Sequence, residues 1–264
     1  MNFPLRRTAL AAGLALSGAP ALAVPLEVAV TNHSAADGLF LTPLLAVFHD
    51  GGYAPFERGA EASPGLELLA EQGDPSGQLA GDAAGFQAAV ITAPGGFAGA
   101  PVLDPGETAR LVVDVDPATA LYFSFLSMVI PSTDSFIGNG DPFAIPLFDA
   151  AGAFLSPARF EVYGGDVWDA GTELDQPGGV GAAFSTAGGE APDEGGTVQR
   201  ESSLDILLGV QTAAGTTIGS VPGLGDLFVS IEITQLSDVP VPAALPLAAA
   251  ALGALGLVGA RRRG

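Results

Sequence analysis

Three carboxylates in two loops have the residue types and spacing to bind a metal ion. Asp134 follows an apolar segment that ends at Ile130, and Asp169 and Glu173 stand four residues apart across Gly171. Hard cations such as Ca²⁺ take about six to eight oxygen ligands, which loops supply as carboxylates and backbone carbonyls. The spacing predicts a Ca²⁺ site at Asp134, Asp169 and Glu173. An acidic chain contains many closely spaced carboxylates by chance. The alternative is that the two loops are solvated and bind no ion.

The charge distribution favours cations as ligands. The chain has 264 residues, a formal net charge of −20 and no cysteine. All 29 acidic residues lie between residues 24 and 238, where four arginines and no lysine oppose them. Such a surface repels nucleic acid and anionic membranes. Without cysteine, disulfides, thiolate metal sites and a cysteine nucleophile are excluded. Alternatively, the acidic residues only maintain solubility and bind no ligand.

Short strands joined by many turns are expected to position these loops. Several segments alternate apolar and polar residues with the period of two that is typical of half-buried strands, and others are continuously apolar. Together they predict an all-β fold, an antiparallel sandwich of seven or eight strands. The candidate strands are residues 26–31, 43–49, 110–116, 120–130, 159–163 and 227–234.

Helix is expected in one place. Ser63 and Pro64 have the types of an N-cap and a first helical residue, and Gly73 is a typical stop. These residues predict one short helix. Residues 176–196 are rich in glycine and proline and poor in apolar residues, which predicts a long mobile loop.

The N-terminus has the pattern of a secretory signal peptide. Arg6 and Arg7 precede an apolar run over residues 8–23, which ends in Ala21-Leu22-Ala23. The run is a hydrophobic core followed by a small-residue cleavage site. Residues 1–23 are therefore predicted to be a removable signal peptide, and residues 24–238 the exported domain.

The C-terminus has the pattern of a membrane anchor. Residues 243–260 carry no charge and precede three arginines, Arg261 to Arg263. As a helix this segment would span about 27 Å, close to the thickness of the hydrocarbon core. The arginines favour the cytoplasmic side. We therefore expect a transmembrane helix that holds the exported domain outside the cell.

Residues that could support catalysis have structural alternatives. His33 is expected on the surface, and His49 is expected to cap a loop through hydrogen bonds. No Gly-x-Ser-x-Gly elbow accompanies them. Trp168 is interpreted as a hydrophobic lid beneath the metal loop, with a sugar-stacking platform as the alternative. Paired carboxylates could hydrolyse glycosides, but 29 acidic residues produce such pairs by chance.

Five segments carry a pattern typical of a known family. They are residues 48–59 (FHDGGYAPFERG), 62–65 (ASPG), 70–73 (AEQG), 131–138 (PSTDSFIG) and 168–173 (WDAGTE). The pattern resembles the spondin N-terminal domain family, and the resemblance spans residues 26–235. The family implies an eight-stranded, C2-like β-sandwich that binds Ca²⁺ at one end through aspartates of two acidic loops. The implied ligands are Asp134, Asp169 and Glu173, the last departing from the aspartate of animal members.

The C-terminal residues resemble a second family. Residues 239–243 (VPVPA), the apolar span and the arginines are similar to the VPxPA variant of PEP-CTERM sorting signals. Val241 departs from the commoner leucine. The resemblance implies processing by a membrane-embedded exosortase, display at the cell surface, and a setting of exopolysaccharide production. A permanent membrane anchor is the alternative.

These patterns together lead to an expected function. We expect a non-enzymatic, Ca²⁺-binding adhesion or matrix module, first held by its C-terminal helix and then placed at the cell surface or outside the cell. Its expected partners are an exosortase-type enzyme and exopolysaccharide or surface proteins, without nucleic acid. The alternatives are an enzyme acting on extracellular polysaccharide and a structural coat protein without a specific ligand.

Overall fold

The computed structural model describes residues 23–93, 95, 101–155 and 157–237. The predicted signal peptide, except Ala23, and the predicted sorting tail with its transmembrane helix lie outside the described residues. Within the described ranges, no helix combines the length and apolar character needed to cross a membrane.

Strands dominate the described residues. Three short 3₁₀ helices, Gly164–Asp166, Pro177–Gly179 and Asp205–Leu207, lie in the connections. The described part of the chain has two α-helices, α1 (Pro64–Gln72) and α2 (Ser76–Ala80). Its strands are β1 (Val24–Asn32), β2 (Phe40–Leu41), β3 (Leu44–His49), β4 (Gln87–Ile91), β5 (Thr108–Val115), β6 (Tyr122–Ile130), β7 (Ser135–Gly138), β8 (Ala158–Tyr163), β9 (Trp168–Asp169), β10 (Gln199–Arg200) and β11 (Leu227–Gln235).

The strands form two antiparallel sheets, as expected for an all-β sandwich. The four-stranded sheet has the order β5-β1-β11-β8. The seven-stranded sheet has the order β10-β9-β7-β6-β3-β4, and β2 also pairs with β6. The short strands β9 and β10 therefore form one edge of the larger sheet, next to the predicted metal loops.

The main core lies between the two sheets. In β1, Leu26 and Val28 are fully buried and alternate with partly exposed residues, as the period of two predicts. They belong to the same apolar cluster as Phe48 of β3 and Phe123 and Phe125 of β6. Strand β6 is buried along nearly its whole length because it lies between other strands and is covered on both faces.

A second core covers the outer face of the seven-stranded sheet. In β3, Leu45 and Val47 point away from the main core and pack with Leu66 and Leu69 of α1. This cluster also includes Trp168 at the sheet edge. Helix α1 therefore covers the face of the larger sheet that the other sheet does not cover.

The predicted helix is confirmed in position and in both caps. The Ser63 hydroxyl accepts a hydrogen bond from the Leu66 N–H at 3.2 Å. Gly73 ends the helix with φ of +66°, a left-handed conformation that glycine adopts without a steric cost. Helix α2 was not predicted, because a helix of one turn leaves no periodic pattern.

Five strands in the described ranges were also not predicted. Two of them, β4 and β7, have five and four residues, and β7 follows Asp134 in a segment interpreted as a loop. The other three, β2, β9 and β10, have two residues each. Two residues cannot show an alternating pattern, and these short strands form because neighbouring strands offer hydrogen-bond partners. Residues 176–196 are irregular apart from the Pro177–Gly179 turn, while their mobility stays a prediction.

Loss of the α1 cap should destabilise the domain measurably. We expect Ser63→Ala to lower the free energy of unfolding by about 1 kcal/mol, because the Leu66 N–H loses its acceptor. For a chain of this size that corresponds to about 2–4 °C in Tm. Ser63→Thr keeps the hydroxyl and is the control in thermal unfolding by circular dichroism. An Ala variant as stable as the Thr variant would contradict the cap.

Candidate metal centre

Asp134 is held in a buried turn between β6 and β7. The Ser132 hydroxyl accepts a hydrogen bond from the Ser135 N–H at 3.0 Å, which closes the turn. Ser132, Thr133 and Ser135 are fully buried, and Asp134 is 2% exposed. A buried carboxylate requires compensating partners, because burial removes its hydration.

The partners of Asp134 come from the second predicted loop. Its Oδ2 atom accepts hydrogen bonds from the Thr172 N–H at 2.8 Å, the Thr172 hydroxyl at 3.2 Å and the Glu173 N–H at 3.1 Å. Three donors on one oxygen fix the orientation of the carboxylate. The two acidic loops predicted from sequence are therefore joined through this side chain.

Asp169 is positioned by a tight turn at Gly171. The Asp169 Oδ1 atom accepts a hydrogen bond from the Gly171 N–H at 2.6 Å. Gly171 has φ of +71°, and a Cβ there would lie 2.5 Å from the Thr197 backbone nitrogen. Only glycine therefore fits between the Asp169 loop and the segment before β10.

Three carboxylates converge beside this turn. Oxygen atoms of Asp134, Asp169 and Glu194 all lie within 4.8 Å of one another. The Glu194 N–H donates to the Thr172 carbonyl at 2.8 Å, which brings this residue to the same loop. Ca²⁺–oxygen distances are about 2.3–2.6 Å, so opposite ligands are separated by about 5 Å or less. The spacing therefore fits a single Ca²⁺ ion.

Glu173 lies outside this group of three. Its N–H supports Asp134, and it lines the same pocket. Burial, followed by the negative charges of Glu71, Asp193 and Glu67, raises the pKa of the Glu173 carboxyl to about 7. The Glu173 carboxyl is therefore near a second set of acids. The structure therefore brings together Asp134 and Asp169 as predicted, with Glu194 in the place predicted for Glu173.

The pocket around the three carboxylates is strongly acidic. Its volume is about 440 Å³ and no basic residue lines it. Asp175 accepts hydrogen bonds from the Thr133 N–H and hydroxyl at 3.1 and 2.9 Å. Glu201 accepts from the Ser203 N–H at 3.1 Å. The acidic lining residues are Asp134, Asp169, Glu173, Asp175, Glu194, Glu201 and Asp205.

The carboxyl groups resist ionisation in the absence of a cation. Burial raises the pKa of Asp134 to about 7, and the charge of Asp169 contributes to the shift. Burial also raises the pKa of Asp169, with a contribution from Asp175. The pKa of Glu194 is raised by burial and by Asp169. A bound cation would reverse these shifts by stabilising the ionised forms.

Trp168 is buried next to the acidic loop. It is 8% exposed, and its indole N–H donates to the Gly138 carbonyl at 3.1 Å. Phe56 packs against the ring with centroids 4.8 Å apart. These contacts agree with the interpretation of Trp168 as an apolar anchor beneath the loop.

His49 is part of a hydrogen-bonded loop cap, as predicted. Its Nδ1 atom accepts from the Gly51 N–H at 3.1 Å, so the proton resides on Nε2, which contacts the Ser124 hydroxyl at 3.0 Å. In this tautomer His49 donates to Ser124 and cannot remove its proton. His33 is exposed and contacts Ser230 at 2.9 Å.

Glu194 was missed because its local sequence carries no metal-binding pattern. It stands 25 positions after Asp169, in a segment whose glycine and proline content indicated only a loop. An isolated antiparallel β-bridge between Glu173 and Asp193 places the segment that contains Glu194 next to the site. The acidic cluster at Glu190, Asp193 and Glu194 was the one available signal.

Comparison of the chain with protein-family models and with curated proteins finds no match.

The raised pKa of Asp134 predicts a specific pH dependence of stability without metal. Asp134 has an ordinary pKa of 3.8 and a folded-state pKa of about 7, so between these values the folded state binds more protons than the unfolded state. Its contribution to stability is complete below about pH 4 and is lost as pH rises through about 7. Urea unfolding in EDTA at several pH values should show this loss. Asp134→Asn should reduce it without abolishing it, because the pKa of Glu173 is also raised to about 7 and contributes a loss of the same sign.

Two features of that experiment isolate Asp134. His49 has a pKa lowered by burial, so its contribution has the opposite sign and is lost as pH falls below about 6.5. Asp114→Asn is the matched control, because Asp114 is exposed on β5, away from the pocket. The interpretation fails if both Asn variants keep the same pH profile as the original chain.

Proposed function

We propose that this chain is an exported, Ca²⁺-binding adhesion or interaction module without enzymatic activity. The observation that carries this proposal is the convergence of Asp134, Asp169 and Glu194 within 4.8 Å in a pocket that no basic residue lines. Asp134 is buried, Asp169 is partly buried and Glu194 is exposed, and a buried carboxylate without a cationic partner is unfavourable. A divalent ion supplies that partner.

The donor set favours Ca²⁺ over transition metals. Zn²⁺ sites usually use histidine or cysteine ligands, and the pocket lining contains neither. Mg²⁺ requires a smaller and more regular octahedron, whereas Ca²⁺ accepts irregular sets of loop oxygens. Asp134, Asp169 and Glu194 come from three separate segments, which suits the more tolerant ion.

The family resemblances extend the proposal. The spondin-like segments support a C2-like sandwich whose eight longer strands form the framework, with the ion at one end. The signal-peptide pattern and the VPxPA tail support export, temporary anchoring by a C-terminal helix, processing by an exosortase-type enzyme, and final placement at the cell surface or in the extracellular matrix. Exopolysaccharide or surface proteins are the proposed partners.

One observation favours a second function, hydrolysis of extracellular polysaccharide. A carboxyl with a pKa of about 7 next to another carboxylate, as in Asp134 and Asp169, resembles the acid and base of a glycosidase. However, Asp134 is 2% exposed and its Oδ2 already accepts three hydrogen bonds. It is poorly placed to reach a substrate, so metal binding is the better-supported role.

Calcium should stabilise the folded protein. We expect millimolar Ca²⁺ to raise Tm relative to EDTA, because a ligand at about 100 times its Kd adds about 2.7 kcal/mol to the free energy of unfolding. Differential scanning calorimetry at pH 7.5 measures the effect, with Mg²⁺ as the comparison ion. An identical Tm in Ca²⁺ and EDTA would overturn the proposed metal site.

The identity of the third carboxylate can be tested directly. We expect Glu194→Gln to weaken Ca²⁺ binding by about ten-fold or more, because it removes a charged ligand. Glu173→Gln should weaken binding less, since its N–H contact to Asp134 is retained. Isothermal titration calorimetry compares the two variants. A larger loss in Glu173→Gln would instead support the ligand set predicted from sequence.

A further inference from the structure

A second cavity, which we call the arginine cleft, lies on the other side of the β9–β10 edge. Its volume is about 490 Å³, within the usual range for small-molecule sites of about 300–1,000 Å³. The residues that matter here are Phe56, Arg58, Asp141, Phe160, Trp168 and Arg200, which all line it.

The short edge strands separate the cleft from the acidic pocket. Trp168 lines the cleft and the adjacent Asp169 lines the acidic pocket. Likewise, Arg200 lines the cleft and the adjacent Glu201 lines the acidic pocket. Successive side chains of an extended strand point to opposite faces, so this edge places Trp168 and Arg200 on one side and Asp169 and Glu201 on the other.

Arg200 forms part of the cleft wall. Its guanidinium lies 3.8 Å from the centroid of the Trp168 ring and forms an ion pair with Asp166 at 3.2 Å. Burial and the nearby positive charge of Arg58 both lower the pKa of Arg200, against the opposing effect of Asp166. The two arginines are therefore close enough to repel each other.

Arg58 is the basic group with unused binding capacity. The turn that carries it is fixed to the segment before β10, because the Gly59 N–H donates to the Val198 carbonyl at 2.8 Å and the Val198 N–H donates to the Ala60 carbonyl at 2.8 Å. Of the four arginines in the described ranges, Arg58 alone forms no ion pair. In a chain with net charge −20, an unpaired arginine held beside a second arginine indicates an anionic ligand.

The other residues that line the cleft indicate which chemical groups the ligand carries besides its negative charge. Phe56, Phe160 and Trp168 provide an apolar surface, while Glu57 and Asp141 also line the cleft. Carboxylates accept hydrogen bonds from hydroxyl groups but repel further negative charges. A ligand unit with one carboxylate for the arginines, several hydroxyls for Glu57 and Asp141, and an apolar ring face for the aromatic residues fits this lining.

We propose that the arginine cleft binds a uronic acid unit of an acidic polysaccharide, with Arg58 holding the sugar carboxylate and Arg200, already paired with Asp166, adding positive charge beside it. Planar guanidinium groups recognise carboxylates through paired hydrogen bonds. The exposed edges of the aromatic residues contact the C–H groups of the sugar ring, and Glu57 and Asp141 accept hydrogen bonds from its hydroxyls. An acidic peptide fits less well, because it offers no ring hydroxyls to these two acids.

This site extends the proposed function but does not depend on the metal ion. The experiment is titration calorimetry of the purified full chain with a trimer of galacturonic acid, in EDTA and in Ca²⁺. The neutral galactose trimer and a triglutamate peptide are titrated in parallel. We expect binding of the uronate trimer in both buffers and at least ten-fold weaker binding of both comparison ligands.

Variants assign the binding to the cleft. Arg58→Ala should weaken uronate binding by about ten-fold or more, because it removes a charge-assisted hydrogen bond, and Arg58→Lys should restore part of it. Arg110→Ala is the matched control, since Arg110 is also exposed but pairs with Glu27 elsewhere.

The remaining outcomes overturn the proposal. Uronate binding that occurs only with Ca²⁺ would place the ligand on a metal ion in the acidic pocket. Equal binding of the neutral galactose trimer would show that the carboxylates of the sugar do not contribute to binding. Tighter binding of triglutamate would identify a peptide site. An unchanged affinity in Arg58→Ala would exclude the cleft. Failure of Ca²⁺ binding alone leaves the uronate result intact, so the two proposals are tested separately.

Discussion

The candidate site depends on the burial of one carboxylate. Asp134 is almost completely shielded from water, and backbone N–H groups of Thr172 and Glu173 replace part of its hydration. These bonds connect the turn after β6 to the loop after β9, which are distant in sequence. This connection holds together the two loops that line the acidic pocket, next to the pairing of β9 with β7. Asp134 is therefore a structural residue as well as a candidate ligand.

The unfavourable electrostatics of the acidic pocket indicate which ligand would stabilise it. Several carboxyl groups share a pocket in which burial and mutual repulsion raise their pKa values. Hydrogen bonds from Thr133 and Ser203 stabilise Asp175 and Glu201 but add no positive charge. A divalent cation would satisfy the remaining requirement, because it attracts all the carboxylates at once. Concentrating acids at one end of the sandwich thus combines a destabilising feature with a binding site.

The edge of the larger sheet gives the domain two chemically different surfaces. Strand alternation places Trp168 and Arg200 on one side and Asp169 and Glu201 on the other. The arginine cleft shows that the overall charge of −20 is not uniformly distributed. A strongly acidic domain can therefore present a local site for an anion, since charges farther away than about 10 Å are largely screened at ordinary ionic strength.

The sequence by itself determined the β-rich class, six of the eight longer strands, helix α1 with both caps, and two of the three converging carboxylates. These features depend on local patterns: alternation in β1, a capping serine and a terminal glycine, and acids beside small residues. Tertiary structure alone decided that Glu194 joins Asp134 and Asp169, that the Glu173 carboxyl is near other acids, and that Arg58 and Arg200 line one cleft. Each of these contacts joins residues from different segments, and its geometry is set by how the sheet edge and its loops pack, which spacing along the chain does not encode.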